Sequence, residues 1–506
     1  LRARTHASMA TEETPLLSAA EAPALSVAES GGAAAAAAEA EAAEASSAHW
    51  WQLHTPEGRA ALAAEWTPPK RPSPERLDIL KYVFVSTVSL VHFLDPLVLG
   101  HNKYARVVQA FVLTFNMPGF SFLSGYLSRE LDSRRTRALI LGILWPYFVL
   151  QTLYSVYYTG FFCHKHNGHA DECSMINGGQ IYYYASPISE KWTWASWKVF
   201  WPFYHLWYFF SLATWRVWQQ GMMVTRFTVV VHIVLGILAG FTDAGLPYSA
   251  QRTLAMMWFF VAGCWCAQNG AFVPVARGAL ARGLAALGVL ASLALVWVCE
   301  WREKDLKDLL MFHEAFDATD HSDAAWHGAV KRLLAYALCA LATASVVALV
   351  PDADAPNERE RDQHRWALGK RLYLRMAKWG SRSVYPYALH LWFFLFAAQL
   401  NLYDNIYIRN VGHDTIEYNG FEVTFEYGSK EKNNAHHSRH FLLEAIAFTA
   451  FGIGLMTFLS TRLVSAVFRY LLQPDFFLAP LIFHGAHEKP RRSRDTYHAE
   501  DFQCFF

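Results

Sequence analysis

Arg76-Leu-Asp-Ile-Leu-Lys81-Tyr-Val-Phe-Val-Ser-Thr-Val-Ser-Leu-Val-His92-Phe-Leu-Asp95-Pro96 is an apolar run that carries Lys81 and His92 within it, with Arg76, Asp78 and Asp95 toward its ends. The run is long enough to cross a bilayer as a helix, which takes about 20 apolar residues. Lys81 and His92 are separated by close to three helical turns, which places both on one face about 16 Å apart. An ionisable group at that depth is expensive, and is kept for a partner, a water-filled cavity or a task. A cation near one end of this stripe and an imidazole toward the other predict a path running along the helix across the membrane.

The rest of the chain fits a membrane setting. Apolar residues make up 53% and aromatics 15% of the 506 residues, with 19 Trp and 36 Phe, the composition of a helical bundle with interfacial aromatic belts. Mean hydropathy is only +0.12 because polar segments dilute the apolar ones. A net charge of +1 gives no reason to expect a nucleic-acid partner. Ten apolar stretches are candidate spans, at residues 79–99, 107–127, 138–158, 197–215, 227–241, 253–267, 284–299, 333–350, 384–400 and 441–460. The expected fold is therefore an all-α, polytopic transmembrane bundle of about ten spans.

Basic residues set its expected orientation. Lys70-Arg71 with Arg76, Arg129 with Arg134, Arg135 and Arg137, Arg216 with Arg226, Arg277 with Arg282, the segment 359–382, and Lys489 with Arg491-Arg492 all fall on one side when the spans alternate. The intervening loops at 302–326 and 401–440 are acidic or mixed. The positive-inside rule then places both termini in the cytosol.

Three regions follow: residues 1–75 as a disordered cytosolic tail, 76–472 as the transmembrane domain, and 473–506 as a cytosolic C-terminal tail. The Ala/Glu/Ser run at 31–48 cannot bury a core. Glu12-Glu13-Thr14-Pro15-Leu16-Leu17 has the spacing of an acidic dileucine sorting signal, which points to a eukaryotic endomembrane of Golgi or lysosome type. Cys163 and Cys173 share one non-cytosolic loop, where they are placed to form a disulfide. With His164, His166 and His169 between them, zinc binding is the alternative. No metal is assigned.

The second apolar stretch contains Phe115-Asn116-Met117-Pro118-Gly119-Phe120-Ser121-Phe122-Leu123-Ser124-Gly125-Tyr126, in which Gly119 and Ser124-Gly125 let a neighbouring helix approach closely. Five motifs stand in order along the chain. They are Lys81-x10-His92; Met117-Pro118-x-Phe120 with Leu123-Ser124-Gly125-Tyr126; Leu206-Trp207-Tyr208-Phe209-Phe210-Ser211-Leu212; Arg252 ahead of Phe259-Phe260-x-x-Gly263; and Tyr385-x-x-x-Leu389-His390. In this order they resemble the acyltransferase 3 family of integral membrane carbohydrate O-acyltransferases, and within it the fucose 4-O-acetylase-like branch. The resemblance covers about residues 76–465. Asn116 stands where that family usually has His, and Trp258 where Pro often precedes Phe-Phe.

The resemblance implies transfer of an acyl group, acetyl in the first instance, from acyl-CoA to a carbohydrate hydroxyl, with no tightly bound cofactor and acetyl-CoA as co-substrate. A hydroxyl is a poor nucleophile while protonated, so the reaction needs a base. His92 suits that role. Asp95, one turn on, either orients the imidazole or caps the helix end before Pro96. Lys81, with Arg134, Arg135 and Arg137 nearby in sequence, would hold the donor's phosphates; pairing with Asp78 and reaching toward the interface is the plainer use of Lys81. Ser124, Tyr126, Arg252 and His390 are expected at the acceptor site or cavity, with a buried ion pair open for Arg252 and packing open for His390. The expected partners are the bilayer, acyl-CoA and a glycoconjugate acceptor. A proton-coupled or other solute transporter is the rival reading, since intramembrane His, Lys and Arg would serve one equally well.

Overall fold

The computed structural model describes residues 72–99, 102–157, 202, 204–223, 225, 227–242, 249–273, 276, 278–302, 306–312, 316, 325–352, 363–399, 414–418, 421–425 and 438–473. The chain divides into units Leu1–Pro69 and Lys70–Phe506, and everything described belongs to the second. The dileucine run and the Cys163–Cys173 loop with its three histidines lie outside the described residues.

Helix α1 (Pro74–Leu99) contains the opening run. Proline at its first position has no amide to leave unpaired, and Ser73 caps the next turn by accepting from the Arg76 amide at 3.3 Å. The helix continues through Pro96, so Asp95 lies inside it rather than capping its end. After α1 come α2 (Lys103–Leu113), α3 (Asn116–Leu127), α4 (Ser133–Leu139), α5 (Trp145–Tyr157), α6 (Trp207–Met222), α7 (Thr228–Leu238), α8 (Ala250–Gln268), α9 (Gly278–Arg302) and the short α10 (Leu306–Met311). Then follow α11 (Ala325–Leu349), α12 (Gln363–Gly380), α13 (Val384–Gln399), α14 (Ser438–Leu459) and α15 (Arg462–Leu472).

Each of the ten apolar stretches carries a helix. Among the described residues, five are long and apolar enough to cross a membrane: Pro74–Asp95, Lys103–Leu127, Arg135–Tyr154, Gly278–Cys299 and Trp326–Leu349. A sixth is added if Ala445–Leu459 and Arg462–Leu472, bent by 66°, form one broken span. Pro118 falls in the first turn of α3, where its missing amide leaves no helical bond unmade, and α2 with α3 makes one span of 25 residues.

Helix α1 is the axis of the bundle and packs against α2, α3, α12, α13 and α14. At the periphery, α9 leaves Leu280, Leu284, Leu287 and Leu290 exposed, an apolar surface suited to lipid rather than water. Helices α3 and α8 pack closely along their lengths. A Cβ at Gly125 would meet the Phe260 carbonyl and one at Gly263 the Phe122 carbonyl, so two glycines allow the backbones to touch.

Two elements add to the expected helical bundle. Strands β1 (Asp414–Tyr418) and β2 (Phe421–Phe425) pair antiparallel, with Thr415 opposite Thr424 and Tyr418 opposite Phe421, inside the stretch expected to be a loop. The intervening Asn419-Gly420 is a strong hairpin signal. Helix α12, from the basic segment, is amphipathic, with Lys370, Arg371, Arg375 and Lys378 exposed. It lies against the start of α1, where Trp379 meets Tyr82 at 5.3 Å between ring centroids and Gly380 abuts the Asp78 carbonyl.

Candidate functional site

His92 lies in the buried interior of α1, 4% exposed. Its Nδ1 faces Asp95 Oδ2 across 3.4 Å, the i to i+3 relation that the helix imposes. The second Asp95 oxygen accepts a shorter bond, 2.7 Å, from Gln109 Nε2 of α2, which also donates to the Val91 carbonyl at 2.9 Å. Asp95 is thus held by a neighbouring helix while it faces the imidazole. The neutral tautomer that donates from Nδ1 to this carboxylate carries its lone pair on Nε2.

Two more imidazoles meet His92. His390, fully buried on α13, stacks against it with ring centroids 5.3 Å apart and planes inclined by 24°. His390 Nδ1 lies 2.8 Å from the Tyr387 carbonyl and 3.0 Å from that of Pro386. Carbonyls only accept, so Nδ1 carries the proton and Nε2 the lone pair. His205, in the turn Tyr204–Leu206 that leads into α6, sits edge-on to His390 at 4.6 Å and 6.4 Å from His92. The backbone of Tyr387 and Ala388 faces the His205 ring, although neither ring nitrogen makes a well-aligned hydrogen bond among the described residues. Tyr387 closes the cluster, its hydroxyl donating to the His205 carbonyl.

These residues border a small pocket, with about 40 Å³ open to the centre of a water-sized sphere. Its polar lining is His92, Asn116, His205, Arg252 and Tyr387; Val88, Val91, Met117, Trp207, Met256 and Met311 are among the apolar walls. Arg252, near the start of α8 and 2% exposed, donates from Nε to the Met311 carbonyl at 3.0 Å and lies over the Trp207 ring at 4.8 Å. His390 stands behind the lining, against the rings of His92 and His205.

The other expected residues lie elsewhere. Lys81, 4% exposed, pairs with Asp78 at 3.3 Å and is not part of the pocket wall. Ser124 shares a 2.7 Å hydrogen bond with the Tyr208 hydroxyl, which also donates to the Phe120 carbonyl, so it joins α3 to α6. Tyr126 packs on Phe272 at 4.5 Å between rings. Arg135 pairs with Asp132 at 3.4 Å and donates to the Glu130 carbonyl at 2.7 Å. Arg137 is half-buried in the last turn of α4; the backbone of Arg134 lies in the same helix, while its side chain lies outside what is described.

His205, Gln109 and Tyr387 were not legible as site residues. His205 directly precedes the Leu206-Trp207-Tyr208 motif, and Gln109 is a polar residue inside an apolar stretch, so each carried a weak signal. Among the described residues no group of three His, Cys, Asp or Glu is arranged to hold a metal, the histidine cluster included. Compared with known proteins, the chain matches no family model, no curated protein and no solved structure. What the fold itself defines is a bundle with several helices able to span a membrane and a mostly apolar pocket with His92, Asn116, His205, Arg252 and Tyr387 on its wall.

Proposed function

We propose that this protein is a membrane O-acyltransferase that moves an acyl group, acetyl in the first instance, from acyl-CoA to a carbohydrate hydroxyl. The observation that carries this reading is the pocket wall at His92, where a buried imidazole is backed by the Asp95 carboxylate. In the reaction His92 takes the hydroxyl proton as the acceptor oxygen attacks the thioester carbonyl. The tetrahedral intermediate collapses with cleavage of the C–S bond, and the departing thiolate receives the proton, giving ester and free CoA. Asp95 orients the imidazole and stabilises its protonated form, and Gln109 holds Asp95 in place.

Lys81 serves the donor at the other end of the same helical face. Its ion pair with Asp78 means that a donor phosphate must draw Lys81 away from a carboxylate already in place. Arg137, with Arg134 and Arg135, supplies further positive charge for the nucleotide. The ten-span arrangement with cytosolic termini gives acyl-CoA access from the Lys81 end, in an endomembrane. Purified protein supplied with acetyl-CoA and a sugar panel should release free CoA only when an acceptor is present, and mass spectrometry should find one acetyl group on the sugar. Solute uptake into vesicles without acylation would favour the transporter reading instead.

A further inference from the structure

We infer that α15 (Arg462–Leu472) lies in the plane of the membrane on the Lys81 side of the bundle, with its apolar face among lipid acyl chains and Arg462 and Arg469 on the phosphates of anionic headgroups. This goes beyond the acyltransferase reading and does not depend on it.

The helix has three distinct sides. At about 100° per residue, Val464, Phe468 and Leu472 share the stripe turned to the protein, where α15 packs against α5, α13 and α14; Val464 and Leu472 are buried and Phe468 is half-buried. A second stripe, about 100° wide, holds Leu463, Val467, Tyr470 and Leu471, the first three 66%, 63% and 61% exposed. The third holds Arg462, Ala466 and Arg469, all exposed, and the helix contains no acidic residue. An apolar side that protein leaves uncovered, next to a basic one, fits the boundary between acyl chains and headgroups. In water the apolar stripe would stay hydrated, and in the acyl core both arginines would lose their hydration.

The position of α15 in the bundle supports the same placement. Helix α14 has 22 residues, so at 1.5 Å per residue it covers about 33 Å and crosses a hydrocarbon core without help from α15. Its exposed Ile446, Ile453 and Phe458 offer surface to lipid. Helix α15 then turns by 66°, and the turn is held at both ends of the helix. Arg382 donates to the Ser460 carbonyl at 3.2 Å, Trp145 Nε1 to the Leu471 carbonyl at 2.9 Å and the Tyr385 hydroxyl to Gln473 Oε1 at 2.9 Å. Trp and Tyr side chains favour the headgroup level. The end of α14 lies beside the start of α1, where the Thr457 and Tyr82 hydroxyls are 2.6 Å apart, so α15 is on the Lys81 side. Arg371, Arg375 and Lys378 of α12, which packs on the same part of α1, are exposed there too. This gathering of positive charge complements an anionic leaflet.

The test uses the purified full chain in nanodiscs of phosphatidylcholine with an equal part of phosphatidylserine. Ala466→Cys and Val467→Cys are neighbours in sequence but fall on the basic and apolar sides. Each is treated with a maleimide that does not enter the bilayer, and the label is read by mass above that of the seven native cysteines. Ala466→Cys should react about tenfold or more faster than Val467→Cys, which sits below the headgroups. Equal, fast reaction would put α15 in water, protection of both would make it the second half of a broken span, and disulfide-linked pairs of Val467→Cys chains would put a second copy on the apolar face; each overturns the proposal. Charge is read from the association of spin-labelled phosphatidylserine and phosphatidylcholine with the chain in phosphatidylcholine bilayers. The wild type should favour phosphatidylserine, and the double variant Arg462→Gln, Arg469→Gln should cut that preference by about fivefold or more. No preference in the wild type, or the same preference in the double variant, would also overturn it. Neither readout involves acyl transfer, so its failure is distinct from failure of the enzyme reading.

Discussion

His92 and His390 lie face to face inside the bundle, ring centroids 5.3 Å apart and planes 24° from parallel, although 298 positions separate them in the chain. His390 is immobilised by the Tyr387 and Pro386 carbonyls, so it presents His92 with a fixed flat wall. Asp95 holds the same ring by its edge. An imidazole restrained at both edge and face is oriented in advance, which is how positioning would contribute to rate in the proposed reaction.

The support behind Asp95 gives the first prediction. Gln109→Leu keeps the volume of the side chain but removes the 2.7 Å bond to Asp95 and the 2.9 Å bond to the Val91 carbonyl. Leaving a buried acceptor unpaired costs about 1–3 kcal/mol. We expect lower thermal stability in detergent and kcat reduced by about tenfold, with donor KM little changed. A folded Gln109→Leu protein with wild-type kcat would mean that Asp95 does not orient His92.

Lys81 gives a paired prediction because Asp78 is its partner. Lys81→Ala should raise the KM for acyl-CoA by about tenfold, in line with the roughly 1.5–3 kcal/mol of a charge-assisted hydrogen bond. Asp78→Asn should lower that KM, since it frees the ammonium from a competing carboxylate. If Lys81→Ala leaves donor KM unchanged, the lysine does no more than pair with Asp78.

The glycine contact between α3 and α8 bears on the fold. A methyl at Gly263 would run into the Phe122 carbonyl and the Tyr126 amide, and backbone atoms give way less easily than a side-chain tip. Gly263→Ala should destabilise the bundle by about 1–3 kcal/mol or more. Gly454→Ala, where nothing lies within 4 Å, should be neutral or stabilising because alanine favours the helix. Thermal unfolding of the two variants side by side checks the contrast; equal loss in both would mean that the α3–α8 contact is not tight.

The parts of this molecule that were legible beforehand are those governed by local chemistry. Spacing alone placed Lys81 and His92 on one helix face, and apolar length marked the position of every helix counted as a candidate span. The Gly125 approach was readable because small residues stand where backbones meet. Three kinds of feature were not. The helix of residues 363–380 is too polar to register as a span, and its amphipathic face makes sense only once α1 is beside it. Ser124 looked like a cavity residue, but its hydroxyl is used by Tyr208, a partner 84 positions away. His205 and Gln109 enter the site through long-range packing, which the local sequence signals only weakly.

The proposed reaction depends most on His92. As general base it should contribute roughly 10²–10⁴-fold, so His92→Gln, which keeps hydrogen-bonding capacity but takes up no proton at neutral pH, should lower kcat by that order while the protein still folds and binds acyl-CoA. The direct measurement is single-turnover acyl transfer from acetyl-CoA to a sugar acceptor by purified wild-type and His92→Gln protein under identical conditions. A drop of about 10²-fold or more in the transfer rate, with donor affinity retained, is the predicted result. Wild-type transfer by a well-folded His92→Gln protein would contradict it.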